Sequence, residues 1–444
     1  MGQRLEEPAS PLSTAPAPVS PPLSEASPPA PPPTSATPAR VVAHAPTSAP
    51  PPPERGPWLA ALWHAFVVFA VVRVGLFFVG MLGTGLMPPA GGIIIPGRNP
   101  QPLRGGWQNG FTGWERWDAL WFLRIAEDGY YVDDVSAAFF PLYPMVTRTV
   151  GQLLGDRWLL AGTLVSNVAL VVALVLLHRL TELEFDRRTA RRTVLYLCVF
   201  PTAFFLIAPY TESLFLALAV GCLYAARRGH WVLAGALGLS ATTTRSTGVV
   251  LALALAVEGV LQFRASDRPA RWRLQRLALA GAAAGVVPLG VVGYLAWWEA
   301  TTGDWRRPFD LQRTAWSKEG LWPWETIGLG IRSATTEVGL VTGDYVMYEL
   351  LVVLPVLAAV AWGIYRLRAT YSAFALGSAI LPLTLNLREH PLQSVPRYYL
   401  VVFPAYWAFV AFGDRFKAHT AVLAISAAAM GLTSLLFVGW FRIY

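Results

Sequence analysis

Apolar stretches of roughly 17–25 residues, each long enough to cross about 30 Å of hydrocarbon, recur from Trp58 to the end of the chain. No other feature limits the possible folds so strongly, because a backbone in lipid must satisfy its own hydrogen bonds. With 54% hydrophobic and only 14% charged side chains in 444 residues, the apolar excess cannot be hidden in one soluble core. The expected architecture is an all-α polytopic membrane protein. Spans are expected at 58–82, 157–180, 192–208, 211–227, 231–245, 247–263, 277–298, 345–365, 370–387, 397–413 and 419–440, about 11 transmembrane helices in all.

Charge sets the expected orientation. A net charge of +8 would suggest nucleic acid for a soluble protein, but here the arginines gather in short loops between apolar runs. The expected partner is therefore the lipid bilayer, with no nucleic acid. Basic loops at 178–192, Arg227-Arg228, 264–276, Arg366/Arg368 and Arg415/Lys417 fall on one side with this count. That side is expected to be cytoplasmic, with the N-terminus on it and the C-terminus outside. A twelfth span at 139–155 would reverse every later loop, and Pro141 and Pro144 suit a surface-lying segment better. Residues 1–57 hold half of the 36 prolines and are expected to form a disordered, Pro/Ala-rich cytoplasmic tail before the membrane domain 58–444. No apolar h-region precedes those prolines, so a cleavable signal is not expected. Cys198 and Cys222 lie inside apolar runs and read as core residues. Lys is almost absent while Arg is abundant.

This topology gathers the unusual polar residues on the outer side. They lie in the long first outer loop 83–156, which is expected to carry interfacial helices, at the Pro209-Tyr210-Thr211-Glu212-Ser213 corner, at Arg245, in the Trp-rich loop 299–344, and in 388–396 with Arg397 after it. Residues 231–263 could form one long helix, but Thr242-Thr243-Thr244-Arg245-Ser246-Thr247-Gly248 places a charge and a glycine in its middle. Two half-length helices with a polar tip fit better, since broken helices are tolerated where they line a cavity.

Within Trp114-Glu115-Arg116-Trp117-Asp118-Ala119-Leu120-Trp121-Phe122, a helical projection at about 100° per residue puts Asp118 with Phe122 and Ile125. Arg124 and Glu127 fall on the opposite side as an expected surface i,i+3 pair. An unpaired carboxylate on an apolar face costs several kcal/mol or titrates higher, as a general base requires. The bland reading is an interfacial helix with an acid at its N-terminus. Glu212 has the same two readings: helix-dipole compensation, or a second acid facing the cavity. Arg245 and Arg397 could hold a phosphate through bidentate bonds, or could snorkel to the interface. The aromatics around Tyr143 read first as an interface belt. No His/Cys cluster has metal-ligand spacing, so no cofactor is expected, although the carboxylates leave divalent-metal dependence open. No Gly-rich nucleotide loop follows a strand.

These residues resemble the PIG-V family of mannosyltransferases, within the GT-C superfamily of integral-membrane glycosyltransferases. The resemblance rests on Trp117-Asp118-Ala119 with Ile125-Ala126 and Gly129-Tyr130, and on Phe139-Phe140-Pro141-Leu142-Tyr143-Pro144. It continues through Pro201-Thr202-Ala203-Phe204-Phe205, Ala208-Pro209-Tyr210-Thr211-Glu212-Ser213, Thr244-Arg245-Ser246-Thr247-Gly248, Thr302-Gly303-Asp304 and Pro396-Arg397-Tyr398. Ser246 departs from it, since the family often has Pro after the Arg.

The resemblance implies a polyprenyl-phosphate-mannose donor, an active site on the outer face of the membrane, and Asp118 as the acid acting on the acceptor; the membrane itself is expected to be the plasma membrane. Trp117, Tyr143, Tyr210, Glu212, Arg245, Arg397 and Tyr398 are the expected substrate-binding residues. The acceptor hydroxyl would belong to a glycolipid, glycan or protein, and transfer would invert the anomeric centre. The competing readings are a transferase for another polyprenyl-linked sugar and, in a different class, a lipid or solute transporter. Transporters commonly show internal repeats, and none is seen here.

Overall fold

The computed structural model describes residues 55–86, 92–93, 95–101, 106–336 and 345–443. The tail expected over 1–57 lies outside them, save 55–57, which open the first helix. Helix follows helix: α1 (Arg55–Leu86), α2 (Asn109–Thr112), α3 (Asp118–Asp128), α4 (Leu142–Leu153), α5 (Trp158–Glu184) and α6 (Arg187–Cys198). Next come α7 (Glu212–Arg227), α8 (Trp231–Thr244), α9 (Val250–Arg264), α10 (Ala270–Val286), α11 (Leu289–Thr302) and α12 (Arg307–Thr314). The chain ends with α13 (Pro323–Thr336), α14 (Val346–Arg366), α15 (Ala369–Ile380), α16 (Val395–Tyr399), α17 (Pro404–Arg415) and α18 (His419–Val438). Among the described residues a two-residue ladder joins β1 (Glu319–Gly320) antiparallel to β2 (Leu385–Asn386), with Glu319 opposite Asn386.

Six helical segments among the described residues are long and apolar enough to cross a membrane: Gly56–Leu86, Trp158–Glu184, Ser246–Arg264, Ala270–Thr302, Val346–Arg366 and His419–Val438. The other expected spans form shorter helices. The run 192–208 stops at Cys198, and a turn through Pro201 leads into a single 3-10 turn at Ala203–Leu206. The run 397–413 is divided between α16 and α17, with a break before Pro404. Pro lacks the N–H and fixes φ, so each of these prolines opens a segment instead of continuing one. The segment 139–155 contains the 12-residue α4, too short at 1.5 Å per residue to cross.

The expected break in 231–263 is present. α8 ends at Thr244, Arg245 is extended at φ −153° and ψ 136°, and a 3-10 turn at Ser246–Val249 leads into α9. Gly248 permits it: its N–H donates to the Arg245 carbonyl at 2.9 Å, and an added Cβ would lie 2.9 Å from the Ala241 backbone. At the other end of α7 from Glu212, a buried ion network joins four helices. Glu184 of α5 accepts from Arg227 of α7 (2.6 Å) and from the Tyr371 hydroxyl of α15 (2.8 Å). Glu258 of α9 accepts from Arg368 (2.8 Å), Thr370 (2.6 Å) and Gln262 (2.7 Å). Every buried carboxylate there has cationic and neutral donors, which offsets its desolvation. Cys198 and Cys222 are free and buried, as expected.

Candidate active site

Asp118 is placed by the backbone before it. Trp117 has φ 54°, outside the helical region, and α3 starts at the next residue. Arg116, 1% exposed, fixes this corner from below. Its Nε donates to the Val438 carbonyl at 3.1 Å and its Nη1 to the Glu115 carbonyl at 2.9 Å, while its guanidinium lies 4.7 Å over the Trp440 ring. Burial lowers the Arg116 pKa to about 10, against the opposing pull of Glu115. The Tyr210 hydroxyl donates to the Arg116 carbonyl at 2.8 Å, tying the corner to the turn before α7.

Four ionised side chains from four parts of the chain then meet in one line. Arg397 of α16 donates from Nη1 to Asp118 Oδ2 at 2.6 Å and from Nε to Glu212 Oε1 at 2.5 Å. The same Glu212 oxygen accepts from Arg245 Nη1 at 2.7 Å. Glu212 is fully buried and its Oε2 has no hydrogen-bond partner among the described residues. Aromatic faces support the cations: Arg397 lies 4.7 Å over Tyr210, and Arg245 lies 4.8 Å over Tyr398. Asp118, with 27% of its side chain exposed, is the most open member, and it opens into a cavity of about 290 Å³.

The expected residues divide. Asp118, Arg245, Arg397 and Tyr398 line the cavity, with apolar walls that include Phe122, Phe139 and Trp316. Glu212 does not face the cavity; it lies beneath, holding both arginines. Tyr210 supports Arg397 from behind. Trp117 is placed elsewhere, packing edge-on against Trp440 at 5.5 Å. Tyr143 is also away from the cavity, its hydroxyl donating to the Gly162 carbonyl at 2.9 Å; burial pushes its phenol pKa up.

Two expectations need correction. Asp118 is not an unpaired carboxylate on an apolar face, because Arg397 reaches it from 279 residues away. Arg124 and Glu127 are not a surface pair. Arg124 is buried, pairs with Asp134 and lies 4.3 Å over the Tyr131 ring, while Glu127 pairs with Arg98 at 2.6 Å. Helical spacing allowed the i,i+3 contact, but the loops that fold over α3 offered each charge a partner with less exposure. Lys318 also lines the cavity and was not singled out from the sequence. Its signal was rarity: of 35 basic side chains only Lys318 and Lys417 are lysines.

The comparisons with known proteins agree with the resemblance read from these residues. The profile of the Mannosyltransferase (PIG-V) family matches residues 96–266, a stretch holding Asp118, Glu212 and Arg245. The chain is 35% identical over 153 residues to GPI mannosyltransferase 2 of Cryptococcus neoformans, covering 32% of this chain and 35% of that protein. It is likewise 35% identical over 148 residues to GPI alpha-1,6-mannosyltransferase 2 of Rattus norvegicus, covering 31% and 30%. The matched region thus spans about a third of these relatives' length. Among solved structures, ArnT from Cupriavidus metallidurans bound to undecaprenyl phosphate aligns over 85% of this chain and 76% of that one, at 13% identity and a TM-score of 0.45.

Proposed function

We propose that this chain, whose residues 96–266 match the PIG-V mannosyltransferases, transfers mannose from a polyprenyl-phosphate-mannose donor to an acceptor hydroxyl. The observation that carries the reading is the continuous Asp118–Arg397–Glu212–Arg245 chain at the wall of one cavity. It sets a carboxylate that can take a proton beside two guanidiniums that can take a phosphate.

The chemistry follows from those positions. Asp118 accepts the proton of the acceptor hydroxyl as that oxygen bonds to the anomeric carbon. The bond from that carbon to the phosphate oxygen breaks, and its electron pair leaves on the phosphate. Arg245 and Arg397 offer planar, permanently charged donors to the departing group. Attack in line on a β-linked donor gives the α-mannoside, a linkage consistent with the name of the rat relative. Asp118 must part from Arg397 to act, and a phosphate is the competing anion that draws Arg397 away.

In this reading the cavity opens on the outer face of the plasma membrane, with the N-terminus cytoplasmic and the C-terminus outside. The basic residues support it: Arg188 and Arg192 pair with Asp414, gathering the ends of α6 and α17 that carry the expected cytoplasmic charge. The test is transfer of radiolabelled mannose from polyprenyl-phosphate-mannose in membranes with and without the protein, followed by isolation of the labelled product. No protein-dependent labelled product from that donor would refute the reading.

A further inference from the structure

The four ionised groups of the candidate site cancel. Asp118 and Glu212 each carry one negative charge, and Arg245 and Arg397 each carry one positive charge. Such a neutral set has no surplus for the reaction proposed above. A phosphodiester donor carries one negative charge, but the phosphate monoester that leaves has a second ionisation near pH about 6 and gains up to one more. That extra charge appears only as the bond to the anomeric carbon breaks.

Lys318 is the surplus cation of this cavity. Among the described residues no carboxylate pairs with it, and the acid next to it, Glu319, is held by Arg388 at 2.6 Å. Its backbone is pinned on both sides. Ser317 before it stands at φ 52°, and the Lys318 N–H donates to the Gln312 carbonyl at 3.0 Å. After it, Glu319 and Gly320 pair with Asn386 and Leu385, and the Leu321 N–H donates to the Thr384 carbonyl at 3.0 Å. A left-handed backbone at a non-glycine residue costs free energy, and such strain collects at sites where a side chain must be aimed. The residue type matters too. In a chain that otherwise uses arginine for nearly every cation, this position has a lysine, whose compact ammonium on a flexible stem can follow a moving oxygen as a planar fork cannot.

We propose that Lys318 is a catalytic residue: its ammonium meets the phosphate oxygen that departs from the sugar and stabilises the charge arriving there as the bond breaks. The inference rests on the phosphate-linked donor of the proposed function. It separates the tasks of the cations, with Arg245 and Arg397 binding the donor in its ground state and Lys318 acting mainly in the transition state.

The experiment uses the full chain in lipid nanodiscs, with initial rates at varied polyprenyl-phosphate-mannose for the wild type, Lys318→Ala and Lys318→Arg. Thermal unfolding of each variant checks that it folds. The expected result is a kcat for Lys318→Ala lower by about 100-fold or more, the size seen when one donor to a developing oxyanion is removed. KM for the donor should stay within a few-fold, polyprenyl phosphate should inhibit less strongly, and Lys318→Arg should recover part of the rate. A folded Lys318→Ala with wild-type kcat overturns the inference while leaving the proposed function intact. A raised KM at unchanged kcat also overturns it, because that is the mark of ground-state binding alone. A wild type that transfers nothing from the phosphate-linked donor overturns both.

Discussion

Arg397 uses two edges of one guanidinium on two acids, Nη1 on Asp118 at 2.6 Å and Nε on Glu212 at 2.5 Å. The residue proposed as base and the residue that orders the cations are therefore joined through a single side chain. Anything that moves Arg397 is felt at both.

Asp118→Asn should remove transfer while leaving the protein folded. The amide keeps the size and can still accept from Arg397, but it cannot take a proton at neutral pH. Loss of a general base costs about 100- to 10,000-fold. The rate from labelled donor measures the loss, and an unchanged thermal midpoint in detergent shows that the fold is kept.

Glu212 and Arg397 should be strongly coupled. Removing Arg397 leaves a buried carboxylate supported by Arg245 alone, and removing Glu212 leaves two neighbouring guanidiniums with one fewer counter-charge. The double variant Glu212→Gln/Arg397→Gln is expected to be less damaged than the sum of the single ones, with a coupling of about 0.5–3 kcal/mol. Thermal or denaturant unfolding of the three variants gives the cycle, and an additive result would mean that the pair does not act as a unit.

Gly248→Ala should lower activity more than stability. The added methyl would meet the carbonyl carbon of Ala241 and the amide of Thr242, each at 2.9 Å, and backbone atoms cannot yield as a flexible side chain can. The 3-10 turn would open and Arg245 would leave its place over Tyr398. The sign to look for is a raised KM for the donor at normal expression.

Tyr371→Phe acts far from the cavity. It deletes the hydrogen bond to Glu184 (2.8 Å) inside the ion network, at a cost of about 1.5–3 kcal/mol for a bond to a charged group. Unfolding should shift by that amount, while transfer per folded molecule stays near the wild-type value.

Much of the fold was legible because lipid leaves the backbone few choices. The apolar runs, the break at Arg245 and the absence of a full-length span at 139–155 follow from length, proline and charge. The number of full-length helices did not follow. Cys198 and Pro201 divide a run whose composition looks continuous, and only packing decides whether a 12-residue helix is completed by its neighbours. At the site, residue types were informative and partners were not. Asp118, Arg245 and Arg397 stood out as charges in apolar surroundings, yet nothing local to Asp118 says that Arg397 will bind it. Tyr143 and Trp117 belonged to the right segments but point into packing, because aromatic residues of a motif can serve the backbone as well as the ligand. Lys318 sits in a loop without periodicity, where spacing carries no signal.

The buried network of Glu184, Arg227, Glu258 and Arg368 gives α7 a second fixed end. The helix begins at Glu212, in the cavity wall's foundations, and closes on Arg227, 16 residues in all or about 24 Å. A rod fastened at both tips behaves as a ruler: its length and its phase are set together. One residue inserted between Leu214 and Leu223 would turn one tip about 100° against the other, so either the carboxylate loses both arginines or Arg227 loses its acids. Evolution along this helix can exchange one side chain for another of similar volume, but it cannot add or remove a residue without dismantling one end.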